Sequence, residues 1–437
     1  MYNWKFGTTK SQKGEFVNQV YVCGGQRTPF VKSMGAYQKV TMQELMTASL
    51  EALVTKMNLQ GKLLGDVALG GVMNSSSDWN LARECVLGTS LHPNTPAYNV
   101  QRACGLSLET LNQIAMKIKL GQIEWGIGGG VDTNTDLPVL FSRKFSEKII
   151  RLSQARTFGA KLSALAQFRP SDWKPVFPAV VEPRTGKSMG QHCESMVQEW
   201  KITRQEQDQI AFESHQKAAQ AYKEGFYQNL VVEFNQVKKD LIVREDTTIE
   251  KLAKLKPVFD FSGQGTLTAG NSTALTDGSS CVLLASEKKA DQENLPKLAR
   301  FVDCEVAALD FVHGEGLLMA PTLAVARLLK RNGLKLQDFD FYEIHEAFAG
   351  QVLCNLKAWD DEDYCKRVLG EATRLGTIDR SRMNVKGGSL ALGHPFGATG
   401  ARIVASLAHI LKNKGQGRGL ISICTAGGMG VAAILEA

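Results

Sequence analysis

The chain carries nine cysteines yet has no Cys-x-x-Cys pair and no zinc-ligand spacing. The odd count and scattered positions argue against a disulfide framework or a zinc module, and indicate a reducing compartment. No apolar run is long enough to cross a bilayer. The segment Met1 to Val17 has three lysines, no arginine and no apolar signal core. It is expected to be an ordinary cytosolic arm, with a mitochondrial presequence the poorer alternative. Nucleic-acid-binding motifs are missing too, and the net charge of +7 is modest for 437 residues. A mild positive excess also suits a phosphorylated small-molecule substrate. The remaining composition, 43% hydrophobic and 22% charged, is that of an ordinary globular protein with room for a large core.

What is present is a set of reactive side chains embedded in glycine. Cys104 lies in Asn99-Val-Gln-Arg-Ala-Cys104-Gly-Leu, where a strand is expected to give way to a helix. Leu108, Leu111, Ala115 and Ile118 recur at helical spacing, predicting a helix from Leu106 to Leu120 with one buried face. Free N–H groups and the dipole at its N-terminus would favour the thiolate, the nucleophilic form. Far downstream, Gly393, Pro395 and Gly397 hold His394 on a tight loop, from which an imidazole could act as general base. Cys424 ends the apolar run Leu420 to Ile423, before a glycine turn. A thiol's ordinary pKa suits proton transfer at carbon, and glycines let backbone donors approach an oxyanion. A nucleophilic cysteine, a histidine and a second thiol are the parts of an acyl-transfer site.

Two stretches share a layout. Asn99-Val100 is followed by Cys104, a helix and a glycine-rich strand ending near Gly130; Asn384-Val385 is followed by His394, a helix marked by Ile403, Leu407 and Leu411, and a strand ending at Cys424. This is the pattern of a duplicated α/β unit, with each reactive residue where open α/β sheets bind ligands. Between the units, Leu137 to Lys174 is basic and amphipathic: Arg143, Lys144, Lys148 and Arg151 alternate with Phe141, Phe145, Ile149 and Ile150. It is expected to be an insertion, either a solvated face, a phosphate-attracting rim, a partner surface or a membrane-surface contact. Thr203 with Glu206 forms a capping-box pattern and Gly225 suits the position past the end of that helix. Ser214-x-x-Lys217 has no serine-acylase companions, and Gly265 to Gly278 lacks a dinucleotide-binding spacing.

Other candidates weigh less. Cys85 and Cys281 fit inert core. His345, in Tyr-Glu-Ile-His345-Glu-Ala-Phe, ends an expected strand; His92, His215, His313 and His409 lack any such context and are assigned structural roles.

In order and spacing, Cys104-Gly, His345-Glu-Ala-Phe, Gly-His394-Pro and Cys424-x-x-Gly-Gly resemble the motifs of the thiolase family. Gly25 to Phe30 resembles its opening strand and Gly265 to Gly278 its coenzyme A loop, so the resemblance covers about residues 17 to 437. It implies an α/β, five-layered αβαβα fold of two similar halves, residues 17–290 and 296–437, with a loop domain inserted at about 133–262. It implies a homodimer or tetramer with no metal and no cofactor, coenzyme A being a substrate. Cys104 would attack a 3-ketoacyl-CoA, His394 would activate it, Cys424 would protonate the departing acetyl-CoA carbanion, and the Cys104 and Ala426 N–H groups would hold an oxyanion. Arg244, Leu255, Phe259, Thr273 and Met189 would contact coenzyme A, with Ala347 and Phe348 nearer the thioester.

Two positions depart from most thiolases: His345 stands where asparagine is usual, and Ala426 where glycine is usual. The histidine resembles the β-subunit of the fatty-acid β-oxidation complex, whose α-subunit partner supplies hydratase and dehydrogenase activities. That favours degradation of medium and long chains. The rivals are an acetoacetyl-CoA thiolase, a decarboxylating ketoacyl synthase, which needs no second thiol, and a non-catalytic acyl-CoA binding scaffold.

Overall fold

The computed structural model describes residues 18–73, 78–178 and 181–437; the expected arm Met1 to Val17 lies outside them. Among the described residues ten strands form the main sheet, nine on one path and β2 off it: β1 Val20–Arg27, β2 Val31–Lys32, β3 Asp66–Leu69, β4 Ala97–Asn99, β5 Trp125–Asp132, β6 Thr276–Ser286, β7 Ala299–Ala308, β8 Phe341–Ile344, β9 Arg418–Thr425 and β10 Met429–Glu436. Their order is β8-β9-β10-β7-β1-β6-β5-β3-β4, with β2 beside β6.

The path is two copies of one sheet. In the first half β3 is parallel to β4 and β5, while β5-β6-β1 is antiparallel. In the second, β8 is parallel to β9 and to a bridge at Met383, and β9-β10-β7 is antiparallel. Apart from β2, both halves therefore run third, second, fourth, fifth, first from the outer edge. The two first strands meet antiparallel through Tyr21–Arg300 and Val22–Ala299. The expectation of two similar halves is borne out.

Five layers follow from which faces are apolar. Helix Met42–Lys56 covers the outer face of the first sheet through Leu45, Leu50 and Leu53. Helices Ala320–Asn332 and Ala349–Asp360 cover the outer face of the second. Between the sheets lie helices Leu106–Lys119 and Thr399–Lys414, which share one core containing Leu111, Ile118, Val404 and Leu411. At about 25 cal/mol per Å² this burial is the main favourable term for the fold. The middle helices touch backbone to backbone: a Cβ on Gly400 would sit 2.4 Å from the Leu108 nitrogen. Ser107 Oγ accepts from the Ala401 N–H at 2.9 Å, so one middle helix caps the other.

The insertion is a small unit with its own aromatic core. Strand pair Leu140–Phe141 and Pro175–Val176 brackets helices Arg143–Gln154 and Phe158–Leu165, and Phe145 packs on Phe141, Phe168 and Trp173. Helix Arg204–Lys223 has the expected Thr203–Glu206 capping box, and Gly225 takes φ 74° just beyond it. Ser214 Oγ donates to the buried Glu346 carboxylate at 2.7 Å and accepts from the Gly388 N–H at 3.0 Å. Its contacts are structural, tying this helix to the second half.

Candidate active site

Cys104 sits in the turn Ala103–Gly105 that opens the first middle helix, whose N-terminus has no side-chain cap. The turn is wedged against the second half: a Cβ on Gly105 would meet Thr425 Cγ2 at 2.9 Å and Val431 Cγ2 at 2.7 Å. Thr425 neighbours Cys424, so β9 delivers the second thiol beside the first. The Ala426 N–H and the N–H of Cys104 itself face the Cys104 sulfur, and the Ala347 N–H faces that of Cys424.

The sequence reading of a dipole-stabilised thiolate needs correction. Cys104 keeps some exposure as a residue, but its sulfur is enclosed, and burial pushes its pKa up to about 12; Asp132 and Glu182 push it the same way. Loss of hydration outweighs the dipole and the two N–H donors. Cys424 is likewise raised well above the ordinary thiol value by burial and by Cys104, so it is not poised near neutral pH as its residue type suggested. Both are thiols at rest, and Cys104 needs a base.

The candidate base is His394. Its N–H donates to Thr276 Oγ1 at 2.7 Å, and its Nδ1 lies 2.5 Å from Thr399 Oγ1. The Phe396–Ala398 turn after it packs on Gly130 of β5, where a Cβ would lie 2.3 Å from the Gly397 oxygen. Asp132, last residue of β5, clamps this turn: its carboxylate accepts from Gly397 N–H at 2.5 Å, Val72 N–H at 3.0 Å and Met73 N–H at 3.0 Å. Full burial still pushes Asp132 up to about 7.

His345 follows the end of β8 and lies ring to ring with His394, centroids 4.1 Å apart. Its Nδ1 lies 2.8 Å from Ser389 Oγ, which also accepts from Arg402 Nη2 at 2.7 Å. Both Nε2 atoms are buried without a partner. Burial, with Arg402 nearby, pushes His394 down to about 3 and His345 well below the ordinary imidazole value, so both are neutral.

The remaining candidates form a band along the insertion. Arg244 and Leu255 line a cavity of about 150 Å³ with Ser272, Thr247 and Lys251. Thr273 donates from its N–H and its Oγ1 to the Ala347 oxygen, each at 3.1 Å, and Ser272 bridges to Phe348. Phe259 packs edge-on to Phe348, and Met189 opens helix Met189–Glu199 against the second-half core. Thus contacts run from the cavity wall to the thiols. An open cleft of about 990 Å³ near Lys39, Glu44 and Asn235 holds none of the candidates and does not compete.

Sequence reasoning missed Asp132, Ser389, Arg402, Glu182 and His215. Glu182 Oε1 accepts from the Gly427 N–H at 2.9 Å, anchoring the turn that carries Ala426. His215, assigned a structural role from sequence, also lines the 150 Å³ cavity, its Nδ1 accepting from the Arg244 N–H. Among the described residues no group of three His, Cys, Asp or Glu side chains could hold a metal ion.

Residues 20–288 match the model of the thiolase N-terminal domain, and residues 295–437 that of the thiolase C-terminal domain. The chain belongs to the thiolase family. It is 40% identical over 424 residues to the 3-ketoacyl-CoA thiolase of Shewanella amazonensis, covering 96% of this chain and 97% of that one. The 3-ketoacyl-CoA thiolase of Photobacterium profundum is 39% identical over 425 residues, with the same coverage. Among solved thiolase folds, the Bacillus anthracis acetyl-CoA acetyltransferase superposes with TM-score 0.81 at 30% identity, over 97% of this chain and all of that one. Human mitochondrial 3-ketoacyl-CoA thiolase gives 0.79 at 28% identity, over 97% of this chain and all of the human one. Thiolases are acyltransferases, and in this thiolase the Cys104 and Cys424 thiols are buried beside each other and the His345 and His394 rings are buried face to face.

Proposed function

We propose that the chain is a 3-ketoacyl-CoA thiolase of fatty-acid β-oxidation. The observation carrying this reading is the second thiol, Cys424, held beside Cys104 with its own N–H donor. A ketoacyl synthase needs one cysteine and two histidines, which Cys104, His345 and His394 supply; a binding scaffold needs no thiol pair.

His394 Nε2 takes the Cys104 proton as the sulfur attacks the keto carbon, so the charges form together inside the site. The Cys104 and Ala426 N–H groups and the Nε2 side of the histidine pair offer donors to the oxyanions. Breaking the carbon–carbon bond leaves an acyl-Cys104 and the acetyl-CoA carbanion, which takes its proton from Cys424. Free coenzyme A, deprotonated by the Cys424 thiolate, attacks the acyl group; Cys104 leaves and regains its proton from His394. The products are acetyl-CoA and a chain two carbons shorter. Coenzyme A enters as a substrate, and the scheme uses no cofactor. Arg244, Leu255, Phe259, Thr273 and Met189 contact coenzyme A in this reading, with Ala347 and Phe348 at the thioester.

The same reading assigns units 17–290 and 296–437, the insertion about 133–262, and a cytoplasmic location; among the described residues no helix is long and apolar enough to cross a membrane. Assembly as a homodimer or tetramer is supported by the edge of β4, unpaired among the described residues, and by Trp79 beside it, 87% exposed. The insertion leaves Phe141, Ile150, Phe158 and Leu162 exposed among cations, a surface suited to the α-subunit or a peripheral membrane contact. Lys148 is not free, since it pairs with Asp172 at 2.5 Å.

Thiolysis of acetoacetyl-CoA and of a ten- to sixteen-carbon 3-ketoacyl-CoA, with Cys104→Ala beside the wild type, tests the reading. Faster cleavage of the long substrate and a dead variant are expected. Cleavage of acetoacetyl-CoA alone would replace it with the acetoacetyl-CoA thiolase reading, which the likeness to the Bacillus anthracis enzyme supports.

A further inference from the structure

We infer that Ser389 and Arg402 are positioning residues that lock His345 in the Nε2–H tautomer, making it a hydrogen-bond donor beside a His394 that is an acceptor. The inference rests on the site reading above and deepens it by giving the two adjacent imidazoles opposite roles.

Ser389 is fully buried, and its Oγ has two hydrogen-bond contacts, Arg402 Nη2 at 2.7 Å and His345 Nδ1 at 2.8 Å. A guanidinium only donates, so Arg402 occupies a lone pair of the serine oxygen. The hydroxyl proton then has one acceptor among its contacts, His345 Nδ1. Were Nδ1 itself protonated, the serine proton would be stranded in a buried site, which is costly. The satisfied arrangement is Arg402 to Ser389 to Nδ1, which leaves the proton on Nε2.

His394 meets the opposite situation. Its Nδ1 contacts Thr399 Oγ1, but that hydroxyl has a second outlet, the Pro395 oxygen at 3.2 Å. Thr399 can therefore donate to the carbonyl and accept from Nδ1–H. Among the described residues no cation donates to this hydroxyl, so nothing forces its proton onto the ring. His394 Nε2 is left with its lone pair, the form a base for Cys104 requires.

Arg402 is itself 2% exposed on the second middle helix, and Glu343 and Glu346 act on it through space. Its charge polarises the Ser389 hydroxyl, making it a stronger donor to Nδ1. The unpartnered Nε2–H of His345 is then a buried donor held ready for an oxygen that only the substrate brings.

Nuclear magnetic resonance of histidine-labelled wild-type protein reads the tautomer directly, with His345→Gln assigning the signals. The expected result is Nε2–H for His345 and Nδ1–H for His394. An Nδ1–H His345 overturns the inference without turnover being measured, and so separates its failure from that of the thiolase reading. Ser389→Ala should give a mixed His345 tautomer and lower kcat by roughly tenfold, short of the ~10²–10³ for deleting a donor outright, with KM within about twofold. Ser389→Thr, which restores a hydroxyl, should recover most of the rate. Wild-type kcat in a folded Ser389→Ala would also overturn it; if that variant does not fold, the wild-type spectrum decides.

Discussion

His345 and His394 face each other with ring centroids 4.1 Å apart and planes at 50°. Two imidazolium ions could not share that space, and burial with Arg402 nearby pushes both rings toward neutrality.

The first prediction concerns pH. With His394 pushed down to about 3 and His345 lowered too, the acid limb of kcat/KM should fall well below the ordinary imidazole value near 6.5. Unfolded histidines bind protons below about pH 6.5 and these buried ones do not, so stability is retained above that pH and lost as pH falls toward the folded values. The slope is about 1.4 kcal/mol per pH unit for each histidine. Activity and melting temperature measured from pH 8 to pH 4.5 check both; an acid limb at 6.5 would sink the assignment.

The thiols should separate chemically. Cys424→Ala is expected to accept an acetyl group from acetyl-CoA onto Cys104, seen as an intact-mass increase, while losing thiolysis by a factor on the order of 10²–10⁴. Cys104→Ala should do neither. Equal acetylation of the Cys104→Ala protein would remove Cys104 from the nucleophile's role.

Asp132 joins the His394 turn to the first half through three backbone N–H groups. Asp132→Ala leaves the buried Gly397 N–H unpaired, at a cost of about 1–3 kcal/mol, and the half-buried Val72 and Met73 N–H groups unpaired at a smaller one. A melting temperature lower by several degrees and a reduced kcat are expected in differential scanning calorimetry and thiolysis assays. An unchanged kcat would mean the clamp does not position His394.

Gly130 faces the Gly397 carbonyl where no Cβ fits. Gly130→Ala must displace that turn, an overpacking cost of about 1–3 kcal/mol. Loss of kcat should exceed loss of coenzyme A affinity, because the contact lies at the His394 turn and not at the cavity lined by Arg244 and Leu255.

Much of this was legible in the sequence because it is local. The Cys104 turn and its helix, the His394 loop, the strand ending at Cys424 and the Thr203 capping box each declare themselves within some ten residues. Ser389, Arg402, Asp132 and Glu182 do not, because their partners are brought to them by tertiary packing: Asp132 and Gly397 are 265 positions apart. The protonation of Cys104 was misread for a related reason. A helix terminus is visible in a sequence, whereas the depth of a sulfur is a property of everything packed around it.

Cys104 and His394 share no stretch of chain, and each stands at the mouth of its own middle helix. Their separation is gauged by the Gly400–Leu108 contact, where a Cβ on the glycine would meet the Leu108 nitrogen, a backbone atom with little room to yield. That contact works as a machinist's spacer: it converts the rigidity of two helices into a fixed gap between sulfur and imidazole. A bulkier residue there would open the gap without touching either reactive group, so that a flaw in packing would be felt as a flaw in chemistry.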